Sequence, residues 1–176
     1  MREVAVGRVH RSCEHVFVFE GRELTPSEKG GIAETTIAAR AVALGIPVLR
    51  PVIEGLRYDL AFDLGHRVLR VQCKWGSTHR GVVRAFIGGC RFTPADGYVR
   101  STYSSSEVDL IAVYCGDLDT VYAVPIADVA GSSVIHLRLK PARNNQSSLV
   151  KWAAQYEFGA IAQLEERRHG MAEAVG

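Results

Sequence analysis

Asp59, Gln72 and Lys74 are the residues of this chain whose types and spacing could do chemistry. A carboxylate, an amide oxygen and an ammonium on one surface can hold a divalent cation and a water beside a phosphate. They lie in two segments, residues 57–64 and 67–75, that alternate between polar and apolar side chains. That alternation is the strand period. The loop between them is Gly65-His66, and a two-residue loop with Gly first suits a II′ hairpin turn. This loop predicts that Leu64 pairs with Arg67, Phe62 with Leu69, Leu60 with Val71, and Asp59 with Gln72. Directly paired residues share a face. Asp59, Gln72 and Lys74 are therefore expected on one face. Tyr58, Leu60, Phe62 and Leu64, with Leu69, Val71, Cys73 and Trp75, are expected on the core face. An ordinary half-solvated hairpin with scattered charges accounts for the same residues equally well.

A helix upstream adds a further acid. Thr25-Pro26-Ser27-Glu28 has the capping hydroxyl, early Pro and first-turn acid of a helix start. The run from Lys29 to Leu44 is rich in Ala and Ile and ends at Gly45 and Pro47. Glu34 falls with Ile37, Ala38 and Ala41 on an apolar stripe. Lys29, Thr36 and Arg40 fall on the other side. An acid on the inward stripe is costly to bury unless it is paired or binds a cation. A salt bridge to Lys74 or Arg70 satisfies it, and so does a cation shared with Asp59.

The order Lys29-Gly30-Gly31-Ile32-Ala33-Glu34, Gly45-Ile46-Pro47-Val48, Arg57-Tyr58-Asp59, then Val71-Gln72-Cys73-Lys74 resembles the PD-(D/E)XK nuclease superfamily. Within it, the chain is most similar to the group I intron-encoded homing endonucleases, which carry Gln-x-Lys where other members carry acid-x-Lys. The similarity continues through residues 108–114, 121–126 and 144–146, and so spans about Ser27 to Phe158. It implies an α/β (α+β) fold, a restriction-endonuclease-like core with a mixed central sheet flanked by helices. It also implies Mg²⁺-dependent hydrolysis of double-stranded DNA, with Mn²⁺ able to substitute. Asp59, the Gln72 oxygen, the Cys73 backbone carbonyl and Glu34 would hold the cation, and Lys74 would orient the water. Two residues depart from the superfamily pattern. Tyr58 stands where the name has Pro, a position often changed. Gln72 replaces an acid, and a neutral amide binds hard cations less strongly than a carboxylate.

Charge is distributed to match an anionic partner. The formal net charge is only +2. Between Lys74 and Arg100, however, Lys74, Arg80, Arg84, Arg91 and Arg100 face a single acid, Asp96. Between His136 and Lys151, Arg138, Lys140, Arg143 and Lys151 face none. Such a surface suits a phosphate backbone. Arg80, Arg84, Arg91 and Arg100 are candidate phosphate contacts. Arg143, Asn144, Asn145 and Gln146 can bond phosphates or base edges, and Asn145 and Gln146 can equally cap a following helix. Cutting both strands requires two sites, which favours a homodimer or a homotetramer.

The 176 residues suit one domain with a real core. We divide them into an N-terminal extension (1–24) containing the alternating Val16-Phe17-Val18-Phe19, an endonuclease domain (25–158) and a C-terminal tail (159–176). Strands are expected over residues 46–53, 82–87, 109–115 and 121–126, the last two around an acidic turn. Residues 88–106 read as a long DNA-contacting loop. A helix is expected over residues 147–158 with Leu149, Trp152, Ala153 and Tyr156 on its apolar side. Cys13, Cys73, Cys90 and Cys115 are dispersed, with no zinc spacing. Reduced thiols and the lack of a membrane span or signal pattern point to the cytoplasm. Residues 159–167 can be encoded by nucleotides resembling a tRNA dihydrouridine arm, as for a mobile gene inserted in or beside a tRNA gene. An amphipathic terminal helix is the other reading. A Holliday-junction resolvase, a restriction-like repair nuclease and a catalytically inert DNA-binding protein that lost its acid at Gln72 also remain open at this point. So does a structural role for Glu34, Asp59 and Lys74 as a buried ion-pair network.

Overall fold

A reciprocal capping box starts the first helix. Thr25 Oγ1 accepts the Glu28 N–H at 3.3 Å, and the Glu28 carboxylate accepts the Thr25 N–H at 2.8 Å. Helix α1 (Pro26–Ala43) ends where Gly45 takes a positive φ of 78°. There the Gly45 N–H reaches Val42 O and the Ile46 N–H reaches Ala41 O, the Schellman pattern. The computed structural model describes residues 22–95, 97–141 and 150–159. The alternating segment at 16–19, the segment Arg143-Asn144-Asn145-Gln146 and the tail beyond Gly159 lie outside them.

Among the described residues nine strands follow: β1 (Val48–Leu49), β2 (Leu60–Asp63), β3 (Val68–His79), β4 (Val82–Phe86), β5 (Gly89–Thr93), β6 (Gly97–Ser101), β7 (Leu110–Cys115), β8 (Thr120–Pro125) and β9 (Val134–Arg138). Seven form one mixed sheet in the order β1-β2-β3-β4-β9, with β7 and β8 attached at β3. The β3–β7 pair is parallel and every other neighbouring pair is antiparallel. Strands β5 and β6 form a separate antiparallel ribbon.

The sheet is buried on both faces. Ala33, Ile37 and Ala41 of α1 cover Leu60, Phe62, Val71 and Cys73 on one face. On the other, Val83, Ala85, Ile111, Val113, Tyr122 and Leu137 pack together. Ile37, Leu60 and Val71 are fully enclosed, and burying each such side chain contributes about 1.5–3 kcal/mol. Gly76 is a small residue by necessity, since a Cβ there would lie 2.7 Å from Val113 Cγ1.

The β2–β3 hairpin has the expected register: Phe62 pairs with Leu69, Leu60 with Val71, and the Leu64 N–H reaches Arg67 O at 2.9 Å. Gly65 has φ +80°, and His66 is not among the positive-φ residues, as a II′ turn requires. Four other expectations are corrected. The strand expected over 46–53 shrinks to Val48–Leu49, because Pro51 interrupts the pairing and Val52 and Ile53 stand exposed. Tyr58 packs with the core on the face away from α1, because β2 begins only at Leu60. Residues 88–106 are not a long loop: most of them form the β5–β6 ribbon. The described part of 147–158 is a 3₁₀ turn at Ala153–Gln155 flanked by bridges from Trp152 to Arg138 and Glu157 to Tyr122. Those bridges satisfy its backbone against strand edges, although Ala153 is still buried. Strand β9 was not anticipated; its alternation is short and Ser- and Gly-flanked.

Among the described residues, no helix is long and apolar enough to cross a membrane.

Candidate active site at a fork in the sheet

Strand β3 is longer than any of its neighbours, and that excess length creates the site. On one edge β7 pairs with Val71 through Gly76. On the other edge β2 pairs only up to Val71, and β4 begins only at Gly76. Between them the edge from Gln72 to Trp75 has no strand partner, so β2 and β4 diverge from β3 as a fork. The Asp59 N–H reaches Val71 O at 2.9 Å, so Val71, Cys73 and Trp75 direct their backbone groups to this open edge.

Asp59 fills the fork. Its Oδ2 accepts the Cys73 backbone N–H at 2.8 Å and also accepts the Gln72 side-chain NH₂. Gln72 is 6% exposed and is the one polar side chain in the buried set among the described residues. A buried amide must be hydrogen-bonded, and its remaining contact, 3.4 Å to Cys73 O, keeps it in the fork. The Cys73 carbonyl faces the same opening. Lys74, half-buried, places Nζ 5.6 Å from the ring centre of Tyr103.

Glu34 approaches from α1. Its partner is Arg50, at 3.6 Å, and not Lys74 or Arg70. Arg70 is instead held by Asp109, with Nε to Oδ2 at 2.9 Å. Burial raises the Glu34 carboxyl above its ordinary range, and repulsion from Asp59 adds to this, against the attraction of Arg50 and Lys74. Burial likewise raises Asp59, opposed by the Cys73 N–H, Lys74, the Gln72 amide and Arg50. Two carboxylates thus sit within electrostatic reach of each other in a poorly solvated place, an arrangement that a cation relieves.

The donors that could hold a cation are all oxygens: the Asp59 and Glu34 carboxylates, the Cys73 carbonyl and the Gln72 amide. That chemistry fits a hard divalent ion such as Mg²⁺. Among the described residues, no three His, Cys, Asp or Glu side chains gather closely enough to enclose a metal by themselves. The set is therefore sparse, which suits an ion that keeps several waters. Gln72 here turns its NH₂ to Asp59. Only its oxygen can face a cation, because the NH₂ is purely a donor. The Cys73 thiol is no ligand candidate: it packs in the core beneath α1, and burial pushes its pKa far up.

The expected DNA contacts are spread more widely. Arg80 is exposed at the β3–β4 turn with φ +48°. Arg84 pairs with Ser77 and so lies on the α1 face, opposite Gln72 and Lys74. Its guanidinium lies 5.6 Å from the Phe86 ring, and its buried Nε has no hydrogen-bond partner. The structure does not bring Arg84 to the Asp59 cluster. Arg91 and Arg100 belong to the ribbon strands β5 and β6. At the far edge of the sheet, His136, Arg138 and Lys151 help line a cavity of about 360 Å³ with no acid in its wall.

Three residues of the site went unassigned in the sequence. Arg50 follows a two-residue strand and carries no pattern that marks it. Tyr103 lies in a stretch read as loop. Arg57 was visible within Arg57-Tyr58-Asp59, but nothing local indicated what it holds.

The PD-(D/E)XK endonuclease family model matches residues 24–159. Among solved structures, the chain is similar to the bacterial homing endonuclease I-Ssp6803I. The match has a TM-score of 0.65 at 27% sequence identity and covers 83% of this chain and 97% of that one. A comparison with the curated proteins gives no match.

Proposed function

Because the chain belongs to the PD-(D/E)XK endonuclease family, we propose that it is a Mg²⁺-dependent, site-specific homing-type endonuclease that hydrolyses phosphodiester bonds in double-stranded DNA. The observation that carries this reading is the fork. It gathers Asp59, the Cys73 carbonyl, Gln72 and Lys74 where one edge of a long central strand lacks a strand partner. The resemblance to a homing endonuclease supports the same branch.

A Mg²⁺ or Mn²⁺ held there supplies Lewis-acid polarisation of the phosphate and lowers the pKa of a bound water. Asp59 anchors it with a carboxylate already oriented by the Cys73 N–H. Gln72 contributes its amide oxygen and excludes bulk water from the floor of the fork. Glu34, restrained by Arg50, adds a second negative charge without closing the site. Lys74 orients the attacking water and donates to the phosphate oxygens as charge builds on them. Arg80, Arg91, Arg100 and the Arg143–Gln146 segment grip the backbone and bases of the duplex, with Arg84 a further phosphate contact. Cutting both strands calls for a homodimer or homotetramer. We place the enzyme in the cytoplasm, where chromosomal DNA is accessible.

The test is incubation of the purified chain with a plasmid carrying a tRNA gene, with and without Mg²⁺, followed by mapping of cut ends. Metal-dependent cuts at a fixed position are expected. Intact DNA binding with no cleavage in Mg²⁺ or Mn²⁺ would replace this reading with the inert DNA-binding one.

A further inference from the structure

Arg57, beside the fork, spends its guanidinium on three hydrogen bonds. Its Nε donates to Glu107 Oε1 at 2.9 Å, one terminal nitrogen to Ser101 Oγ at 3.2 Å, and the other to the Thr102 carbonyl at 2.9 Å. Glu107 is itself pinned by the Ser104 N–H at 3.0 Å and the Ser104 hydroxyl at 3.1 Å. Ser101 pairs with Gly89 at the base of the β5–β6 ribbon. A Cβ on Gly89 would lie 2.9 Å from Ser101 Oγ and 3.0 Å from a terminal nitrogen of Arg57. The ribbon base is thus closed around this guanidinium, and glycine is the residue that leaves room for it.

The same guanidinium lies 4.2 Å from the ring centre of Tyr103. That ring is 5% exposed and also has Lys74 Nζ within 5.6 Å. Both cations are within cation–π range. Lys74 has a flexible four-carbon stem, so some contact must hold its ammonium on the fork. Among the described residues, this ring is the only partner that the Lys74 side chain meets at hydrogen-bond, ion-pair or cation–π range.

We propose that Tyr103 is a positioning residue for Lys74, and that Arg57 locks Tyr103 to the base of the β5–β6 ribbon, so that engagement of the ribbon by DNA sets the place of the ammonium. This rests on the role assigned to Lys74 above. Arg57 immediately precedes the Tyr58-Asp59 pair, so one short segment supplies both the carboxylate of the fork and the joint to the ribbon.

The full-length protein tests it in two ways. In the wild type, the Lys74 ε-methylene protons should resonate upfield of a free lysine because of the Tyr103 ring current. An unshifted signal overturns the proposal without any substitution. In single-turnover cleavage of the tRNA-gene plasmid, Tyr103→Leu should slow the rate by on the order of tenfold, while duplex affinity measured in Ca²⁺ stays near wild type. Tyr103→Phe, which keeps the ring, should restore the rate. Arg57→Gln should slow the rate as Tyr103→Leu does, and the double variant should be no slower than either, as coupled positions behave. A wild-type rate in Tyr103→Leu beside a dead Lys74→Ala overturns this inference alone. Full cleavage by Lys74→Ala overturns the proposed mechanism with it.

Discussion

The Asp59 carboxylate accepts the Cys73 backbone N–H at 2.8 Å, in the place of the strand that β3 lacks between β2 and β4. One side chain thereby satisfies an exposed sheet edge and presents a negative charge at the only stretch of β3 left unpaired on that edge. The structural and the chemical demands on Asp59 are opposed. Its burial disfavours the charge that a cation requires.

That opposition predicts the behaviour of Asp59→Asn. The folded-state pKa of Asp59 is raised, so its contribution to stability is present below the unfolded pKa and is lost as pH rises through the folded one. At neutral pH the ionised side chain therefore costs stability. Asn can keep both hydrogen bonds without the charge. In EDTA the variant should melt at or above the wild-type temperature, yet show no cleavage. Adding Mg²⁺ should stabilise the wild type, by about 2.7 kcal/mol at a hundredfold excess over Kd, and leave the variant unmoved. An equal metal-induced shift in both proteins would remove Asp59 from the ligand set.

Lys74→Ala should separate chemistry from binding. Removing the ammonium takes away a donor to the developing charge, with an expected rate loss of at least about a hundredfold. Affinity for duplex in Ca²⁺, read by fluorescence anisotropy, should change little. A matched loss of affinity would mean that Lys74 serves as a backbone contact.

The Arg70–Asp109 clamp makes a distinct acid-dependent prediction. The Arg70 guanidinium hydrogen-bonds Asp109 and holds its carboxyl below the usual range, against partial burial. Stability from a depressed carboxyl is present above its unfolded pKa and is lost as pH falls through its folded one. Between pH 5 and pH 3, values near the ordinary Asp pKa of about 3.9, the melting temperature of the wild type should fall more steeply than that of Asp109→Asn. Parallel curves would show that the pair contributes nothing.

Arg80→Gln tests the electrostatic grip. Arg80 is exposed at a turn and makes no side-chain hydrogen bond or ion pair among the described residues, so its loss should leave the melting temperature unchanged. If it contacts a phosphate, the slope of log affinity against log salt should flatten by about 1. An unaltered slope would take Arg80 out of the interface.

The hairpin was legible because its signals are local. Alternation assigns Leu69, Val71 and Cys73 to one face, and Gly65 with its positive φ sets the register that brings Asp59 beside Gln72. The capping box at Thr25 and Glu28 placed α1 for the same reason, since cap and partner are three residues apart. The inward stripe of α1 was legible too, but the partner of Glu34 was not. Arg50 reaches it only because β1 folds back across the helix, a contact with no period or spacing in the chain.

By itself, then, the sequence determined the chemical types available and the two elements that carry them, because turns, caps and alternation act over a few residues. Tertiary structure decided what those residues face. The fork exists because β7 extends along one edge of β3 while β2 and β4 stop short on the other, a matter of long-range pairing. The closure of the ribbon base around Arg57, and the placing of Tyr103 beside Lys74, join residues about thirty to fifty positions apart by packing and hydrogen bonds that no local pattern encodes.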